Sequence, residues 1–292
     1  MQGTYKITVG GKVYEYKNVI TEAGQTGLLR AISGQRQGWA SSIVVGVGNT
    51  AASSTDKSLE FLVTGADINA SIIDPVNDKL YFKASLPLEG ELIINELGCY
   101  ASNSLSTQSS ESGGGGILAM LTSESVWTDV SGTSITDTTH GRVGKDTIGY
   151  TLAASATGKG YLTFVKDLTF IPADANIKLA YYTTGISDFI VRFKVDDSNY
   201  YEANTWSVSN GYHIQSIAKS AFAATGSPSW ASIQTLEFES IAGGSGGSVA
   251  IDAMRYELPF SEESDLLSRV AIAEPMEKIP GVSLDIEYLL EL

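Results

Sequence analysis

Glu237 and Glu239 stand two positions apart in the run IQTLEFES. Side chains on a strand alternate with a period of two, so both carboxyls share one face of any strand they occupy. Paired carboxylates are what glycoside hydrolysis uses, one as acid and the other as base or nucleophile. Asp196-Asp197 and Asp252 supply further carboxyls. The plainer use of such a pair is to solvate the outer face of a half-exposed sheet, and the sequence favours that use. Asp196, Asp197 and Asn199, with Asp252, also offer the several oxygens that calcium takes. Against that, DDSN between FKV and YYEANTW reads as an ordinary hairpin turn, with Asp and Asn at the turn positions.

The remaining reactive residues give no catalytic pattern. His140 lies in the polar run TDTTHGR and His213 follows Gly211-Tyr212; a triad or zinc site needs a partner for either in space. The single cysteine, Cys99, excludes an intramolecular disulfide and reads as a small buried apolar residue. No HExxH or metal-spaced cysteine pair occurs. Gly46-x-Gly48 lacks the third glycine and the lysine of a phosphate loop.

Aromatic residues are more suggestive. Tyr181, Tyr182, Tyr200, Tyr201, Trp206, Tyr212 and Trp230 crowd one stretch of chain. Aromatic faces stack on sugar rings while neighbouring amides and carboxylates bond the hydroxyls. Tyr200 and Tyr201 point to opposite faces of one strand, and Trp206 sits in the polar run NTWSVSN. The expected glycan-binding set is Tyr201 and Trp206, with Asn204 as a hydrogen-bond partner. Trp230 reads as a core residue beginning a strand.

The elements that must position these groups are mainly β. Gly-Gly at 10–11 predicts a hairpin between Tyr5–Val9 and Val13–Tyr16. The run NVITEAGQTGLLRAISG approximates helical spacing, with Asn18 or Thr21 as cap and Gly34 as stop. Further strands are expected at Ser42–Val47, Leu59–Val63, Lys79–Ser85 and Glu91–Tyr100. Leu284, Ile286, Tyr288 and Leu290 alternate with Asp285, Glu287, Leu289 and Glu291, which marks a last strand with one buried face. Ser102 to Gly116 holds only Leu105 as a large apolar residue and reads as a flexible linker. Between it and Glu257 run many short strand candidates with turn signals at sandwich spacing. In FIVRFKVD, Phe189, Val191 and Phe193 alternate with Ile190, Arg192 and Lys194.

Residues 1–110 and 258–292 are therefore expected to form one discontinuous β-rich domain with one short helix. Residues 113–257 would be a β-sandwich or jelly roll inserted into it. The net charge of −14 argues against a phosphate-backbone binder, so no nucleic-acid partner is expected. No apolar run reaches the roughly 18 residues a membrane helix needs. MQGTYKITVGGKVYEYK has no apolar signal region, which predicts synthesis in a cytoplasm.

One order of features stands out: Leu28–Ile32, then Trp39, a strand ending Gly46-x-Gly48, the Thr/Ala/Ser-rich Asn49–Thr55, Leu59, INELGCYAS, and the closing LLSRVAIAEPMEKIPGVSLDIEYLLEL. That order resembles tail-associated structural proteins of bacteriophages, and it covers about half the chain. The inserted part, through SVWTDVSG, WASIQTLEFES and VAIDAMRYEL, resembles carbohydrate-binding modules and lectin-like jelly rolls. The resemblance implies a non-enzymatic virion protein of the tail or baseplate region, homo-oligomeric and docked on other virion proteins. It would project a jelly roll toward a host-surface glycan, without a required cofactor. A head fibre or decoration protein and a glycan depolymerase are the alternatives.

Overall fold

In the computed structural model, residues 2–35, 39–86, 91–101, 115–121, 127–131, 133–137, 140–144, 146–259 and 265–291 are described. The chain divides into two compact units, Met1–Gly115 with Phe260–Leu292, and Gly116–Pro259. The predicted linker falls on 102–114, outside the described residues, while Gly115 and Gly116 already belong to a strand. Along the first unit run β1 (Gln2–Val9), β2 (Lys12–Lys17), β3 (Val19–Ile20), helix α1 (Glu22–Ile32), β4 (Ser42–Gly46), β5 (Leu62–Asp67), β6 (Ala70–Asp74), β7 (Lys79–Leu86) and β8 (Leu92–Tyr100). The second unit carries β9 (Gly115–Met120), β10 (Trp127–Ser131), β11 (Thr133–Asp137), β12 (Thr147–Leu152), β13 (Thr157–Lys166), β14 (Asn176–Thr184), β15 (Ile186–Lys194), β16 (Tyr200–Ala203), β17 (Gly211–Ala218), β18 (Ala223–Thr225), β19 (Ile233–Ala242) and β20 (Gly247–Glu257). The chain then returns to the first unit as β21 (Leu266–Lys278) and β22 (Leu284–Glu291).

The first unit has two antiparallel sheets, in the orders β2-β1-β22-β7-β6 and β3-β21-β8-β4-β5. Gly10 and Gly11 both take positive φ (53° and 80°), as the tight β1–β2 turn requires. The last strand lies at the centre of its sheet, between β1 and β7. Its row Leu284, Ile286, Tyr288 and Leu290 is buried, as the alternation predicts. Tyr288 meets Tyr5 at 4.8 Å and Trp39 at 5.8 Å between ring centroids, so the aromatic after the helix closes the core over the final strand. Helix α1 is capped by Thr21, whose Oγ1 accepts from Gly24 N at 2.9 Å. Val19 and Ile20, read as helical, form β3 instead, pairing with Arg269 and Ser268. Gly24 weakens the helix, but a Cβ there would collide with the Leu267 carbonyl oxygen, so glycine permits the close approach.

Gly48, Glu60, Phe61 and Arg269 converge on one carboxylate. Glu96 is fully buried on β8. It accepts from Gly48 N at 3.0 Å, Glu60 N at 2.9 Å, Phe61 N at 2.8 Å, and Arg269 Nε and Nη2 at 3.0 and 2.8 Å. Arg269 also reaches Asp56 at 2.8 Å and the Thr50 carbonyl at 3.2 Å. A Cβ on Gly48 would strike Glu60 and the Glu96 carboxylate. The GxG thus cradles a protein carboxylate, and the loop after it is tied down by backbone N–H groups. Leu59 and Phe61, expected in a strand, are buried loop residues of this clamp; β5 starts at Leu62.

In the second unit two antiparallel sheets face each other. One has the order β10-β13-β19-β15-β16-β18; the other is β11-β12-β20-β14-β17, with β9 also on β20. Leu162, Phe164, Phe189, Val191, Phe193, Leu236 and Phe238 of the first meet Ile148, Tyr150, Ile177, Leu179, Tyr181, Val249, Ile251 and Met254 of the second. Tyr150 ties the layers by donating to the Phe238 carbonyl at 3.0 Å. The fold is therefore mainly β, with one α-helix among the described residues.

Arg269→Ala would leave the buried Glu96 side chain short of two donors. Such a loss costs about 3–5 kcal/mol. Arg269→Lys, which keeps the charge but not the fork, should cost less. Denaturant unfolding of the full chain followed by circular dichroism and limited proteolysis checks this. A first-unit stability unchanged by Arg269→Ala would show that the clamp is incidental.

Candidate functional site: the outer face of the β13-β19-β15-β16 sheet

Strand parity builds this face. On β13, β19, β15 and β16 the core takes Leu162, Phe164, Leu236, Phe238, Val191 and Phe193, so Lys159, Tyr161, Glu237, Glu239, Arg192, Lys194, Tyr200 and Glu202 point outward. Register then sets the rows. Tyr161 pairs with Glu237, Glu237 with Arg192, and Arg192 with Glu202. Lys159 pairs with Glu239, and Lys194 with Tyr200.

The charges lock into a lattice. Arg192 Nη1 bonds Glu237 and reaches Glu239 at 2.9 Å, while its Nε bonds Glu202 at 2.9 Å. Lys194 Nζ bonds Glu237 at 3.0 Å and Asp197 at 2.7 Å. Lys159 approaches Glu237 at 3.5 Å and pairs with Glu239. Glu237 is only 2% exposed at the centre. Burial pushes Glu237 and Glu239 up, but hydrogen bonds from Arg192, joined by Lys194 or Lys159, outweigh it and hold both carboxyls below their ordinary range. Burial and the neighbouring Glu237 raise the Tyr161 phenol, which stays neutral. Tyr161 and Tyr200 are half-buried and flank the lattice, the Lys194 ammonium 5.4 Å from one ring centre and the Arg192 guanidinium 5.5 Å from the other.

The structure sorts the expected site residues. Trp206 is 4% exposed in the sandwich core and its indole N–H donates to the Ala203 carbonyl, so no ring face is free to stack on a sugar. Tyr201 turns to the inner side. Its ring lies flat on Trp230 at 4.0 Å and 6°, its hydroxyl donates to the Pro228 carbonyl, and Lys219 lies near Trp230. Trp230 is partly buried against the core, in a short 3-10 turn that leads into β19. Asn204 is exposed beyond β16. The outward neighbour Tyr200 takes the role expected of Tyr201, because alternation puts one of the two on each face but does not say which. Tyr161 was missed; its signal was its pairing in GYLTF with Leu162 and Phe164 on the opposite parity.

The calcium set does not assemble. Asp196 accepts from Ser198 N, Asn199 N and Asn199 Nδ2 in the β15–β16 turn, and Asp197 holds Lys194. Asp252 lies on β20, in the other sheet. Its carboxylate accepts from Arg142 N at 3.0 Å, Val143 N at 3.1 Å and the Tyr212 hydroxyl at 2.5 Å. Among the described residues no group of three or more His, Cys, Asp or Glu is placed to hold a metal. Near Asp252, His140 stacks on Tyr182 at 3.6 Å and Arg142 lies over Tyr212 at 3.9 Å. His213 contacts Ser209 and Thr183, and the fully buried Cys99 lies in the other unit. No described helix is long and apolar enough to cross a membrane.

No protein-family model matches the sequence, and no curated protein matches it. Among solved structures the chain is similar to the family 11 carbohydrate-binding module of Clostridium thermocellum in complex with a β-1,3-1,4-mixed-linked tetrasaccharide, at 10% identity and TM-score 0.39, over 51% of this chain and 98% of that one. It is similar to a family 30 carbohydrate-binding module at 13% identity and TM-score 0.37, over 50% of this chain and 85% of that one. It is also similar to the enzymatically active domain of tailspike protein 4 of bacteriophage CBA120, at 15% identity and TM-score 0.32, over 47% of this chain and 20% of that one. The functional reading rests instead on the side chains of the open sheet face.

Burial raises Asp252 to about 6 from 3.8, against the Tyr212 hydroxyl and the Val143 and Arg142 N–H groups. A carboxyl whose folded pKa exceeds its unfolded one favours folding while protonated. Its contribution is full below about pH 4 and lost as pH rises through about 6, about 3 kcal/mol in all. Glu237 and Glu239 act in the opposite sense, stabilising above their unfolded values and losing that as pH falls. The stability difference between wild type and Asp252→Asn should therefore shift against wild type between pH 4 and 6. Denaturant midpoints across that range measure it; a difference independent of pH would show Asp252 is not held high.

Proposed function

We propose that the chain is a non-enzymatic structural protein of a phage particle, of the tail or baseplate region, whose second unit touches a host-surface glycan through the β13-β19-β15-β16 face. The observation that carries the glycan reading is the pair Tyr161 and Tyr200 flanking a lattice of fixed donors and acceptors on strands. Rings supply stacking area and the lattice supplies hydrogen bonds at positions set by sheet register. The virion reading is supported by the order of features that the Glu96 clamp brings together, from Gly46-x-Gly48 to Arg269. The first unit would dock on other virion proteins, and the copies would follow the particle's rotational symmetry as a homo-oligomer. Synthesis would be in the host cytoplasm.

The carboxyls support binding without hydrolysis. A glycosidase acid keeps its proton near neutral pH through a raised pKa. Glu237 and Glu239 are held low, and Asp252, held high, lies in the other sheet with its oxygens already engaged.

A few stacked rings give affinities of roughly millimolar, about −4 kcal/mol. Many copies on one particle would multiply that without new contacts. The Tyr161→Ala, Tyr200→Ala double variant should keep the wild-type melting temperature within a few degrees, because both rings face outward. Its retention on immobilised host-surface polysaccharide should fall by about tenfold or more, about 1.4 kcal/mol. Undiminished retention by the folded variant would reject this face as the contact, and release of reducing ends from the polysaccharide would reject the non-enzymatic reading.

A further inference from the structure

We infer that the ligand of the Tyr161–Tyr200 face is an uncharged, extended oligosaccharide that lies across the strands rather than along them. This rests on the glycan reading above and narrows it in charge, length and direction.

Charge comes first. The lattice sets four carboxylates, Glu202, Glu237, Glu239 and Asp197, against three cations, Lys159, Arg192 and Lys194. Every one of those cations already bonds two carboxylates or more. An acidic sugar that drew Arg192 or Lys194 away from Glu237, which is 2% exposed, would leave that buried carboxylate with fewer partners. A uronate or sulfate would also add negative charge to a face that carries one excess carboxylate and to a chain of net charge −14.

The open hydrogen-bonding positions point the same way. Arg192 uses Nε and Nη1 on its carboxylates, and no bond from its Nη2 to another described residue is found. Glu202 uses one oxygen on Arg192, which leaves the other as an acceptor on the same face. A donor and an acceptor on one face match sugar hydroxyls, each of which both donates and accepts. The ionised group of a uronate or sulfate only accepts, so it gains nothing from the Glu202 oxygen, whose charge repels it.

Length and direction follow from the strand order. Tyr161 lies on β13 and Tyr200 on β16, with β19 and β15 between them. Three inter-strand steps of about 4.8 Å separate the two ring-bearing strands by about 14 Å. A ligand running across the strands passes from Tyr161 over the Glu237–Arg192–Glu202 row to reach Tyr200; a single sugar touches one ring alone.

The experiment titrates the full chain with neutral gluco-, galacto- and manno-oligosaccharides, as disaccharide and hexasaccharide, and with hexasaccharides of the corresponding uronates, at low and high salt. The expected result is a neutral hexasaccharide bound about tenfold or more above both its disaccharide and its uronate counterpart, with an affinity insensitive to salt. Tyr161→Ala and Tyr200→Ala should each reduce the hexasaccharide to the disaccharide's level. A uronate that binds more tightly and weakens with salt would overturn the inference while leaving the glycan reading intact, and so would equal binding of disaccharide and hexasaccharide. Failure of every sugar of both classes would overturn the glycan reading itself.

Discussion

A carboxylate stripped of water must be given its donors by the protein, and this constraint organises both units. An unpaired buried charge costs several kcal/mol, so each such group recruits the chain around it. In the first unit Glu96 takes three backbone N–H groups from one loop and two bonds from Arg269, which joins β8, β21 and the segment from Gly48 to Phe61 at a single point. In the second, Glu237 holds the same position at the centre of a sheet, but its donors are side chains of the neighbouring strands. The first arrangement fixes a loop. The second fixes a surface.

That difference has a functional consequence. Backbone N–H groups around Glu96 are consumed internally and offer nothing outward. Around Glu237 the partners are long side chains rooted on rigid strands, so their unused atoms lie at positions that register sets. Preorganised groups of this kind lose little entropy when a ligand arrives. Asp252 shows the third outcome. Its donors come from a loop and one tyrosine, burial outweighs them, and the carboxyl is pushed up to about 6. It pins Arg142 and Val143 to the sheet. Nearby, Tyr182 and Tyr212 carry His140 and Arg142 on their faces.

What the sequence made legible was local. The period of two in Leu284–Leu290, the Gly-Gly turn and the Thr21 cap each depend on neighbours within a few residues, and each is present. The shared face of Glu237 and Glu239, and the opposite faces of Tyr200 and Tyr201, are also local facts. What was not legible depends on pairing between distant strands. Nothing in IQTLEFES says that β19 lies between β13 and β15, and so that Arg192 and Lys159 would neutralise its glutamates. Trp206 misled for a related reason: its sequence neighbours are polar, yet the chain folds it back onto the Ala203 carbonyl and into the core. The GxG was correctly separated from phosphate loops, but its real ligand, the Glu96 side chain, stands 48 residues beyond Gly48.

A sheet face suits weak, repeated contact better than a loop site would. Loops reach deeper but must be ordered on binding, and that cost falls on every copy. On β13, β19, β15 and β16 the backbone is already ordered by ladders, and the lattice has already immobilised Arg192 and Lys194. On the proposed function each copy would lose little entropy on contact, so modest stacking by two tyrosines would survive as net affinity, and an array of copies would add together. The same lattice also limits the site. Glu237 is buried among Lys159, Arg192 and Lys194, so removing those cations to alter the face would leave its charge short of partners. Replacing Glu237 together with Arg192 or Lys194 would remove the charge problem but also the order that fixes these side chains on the face.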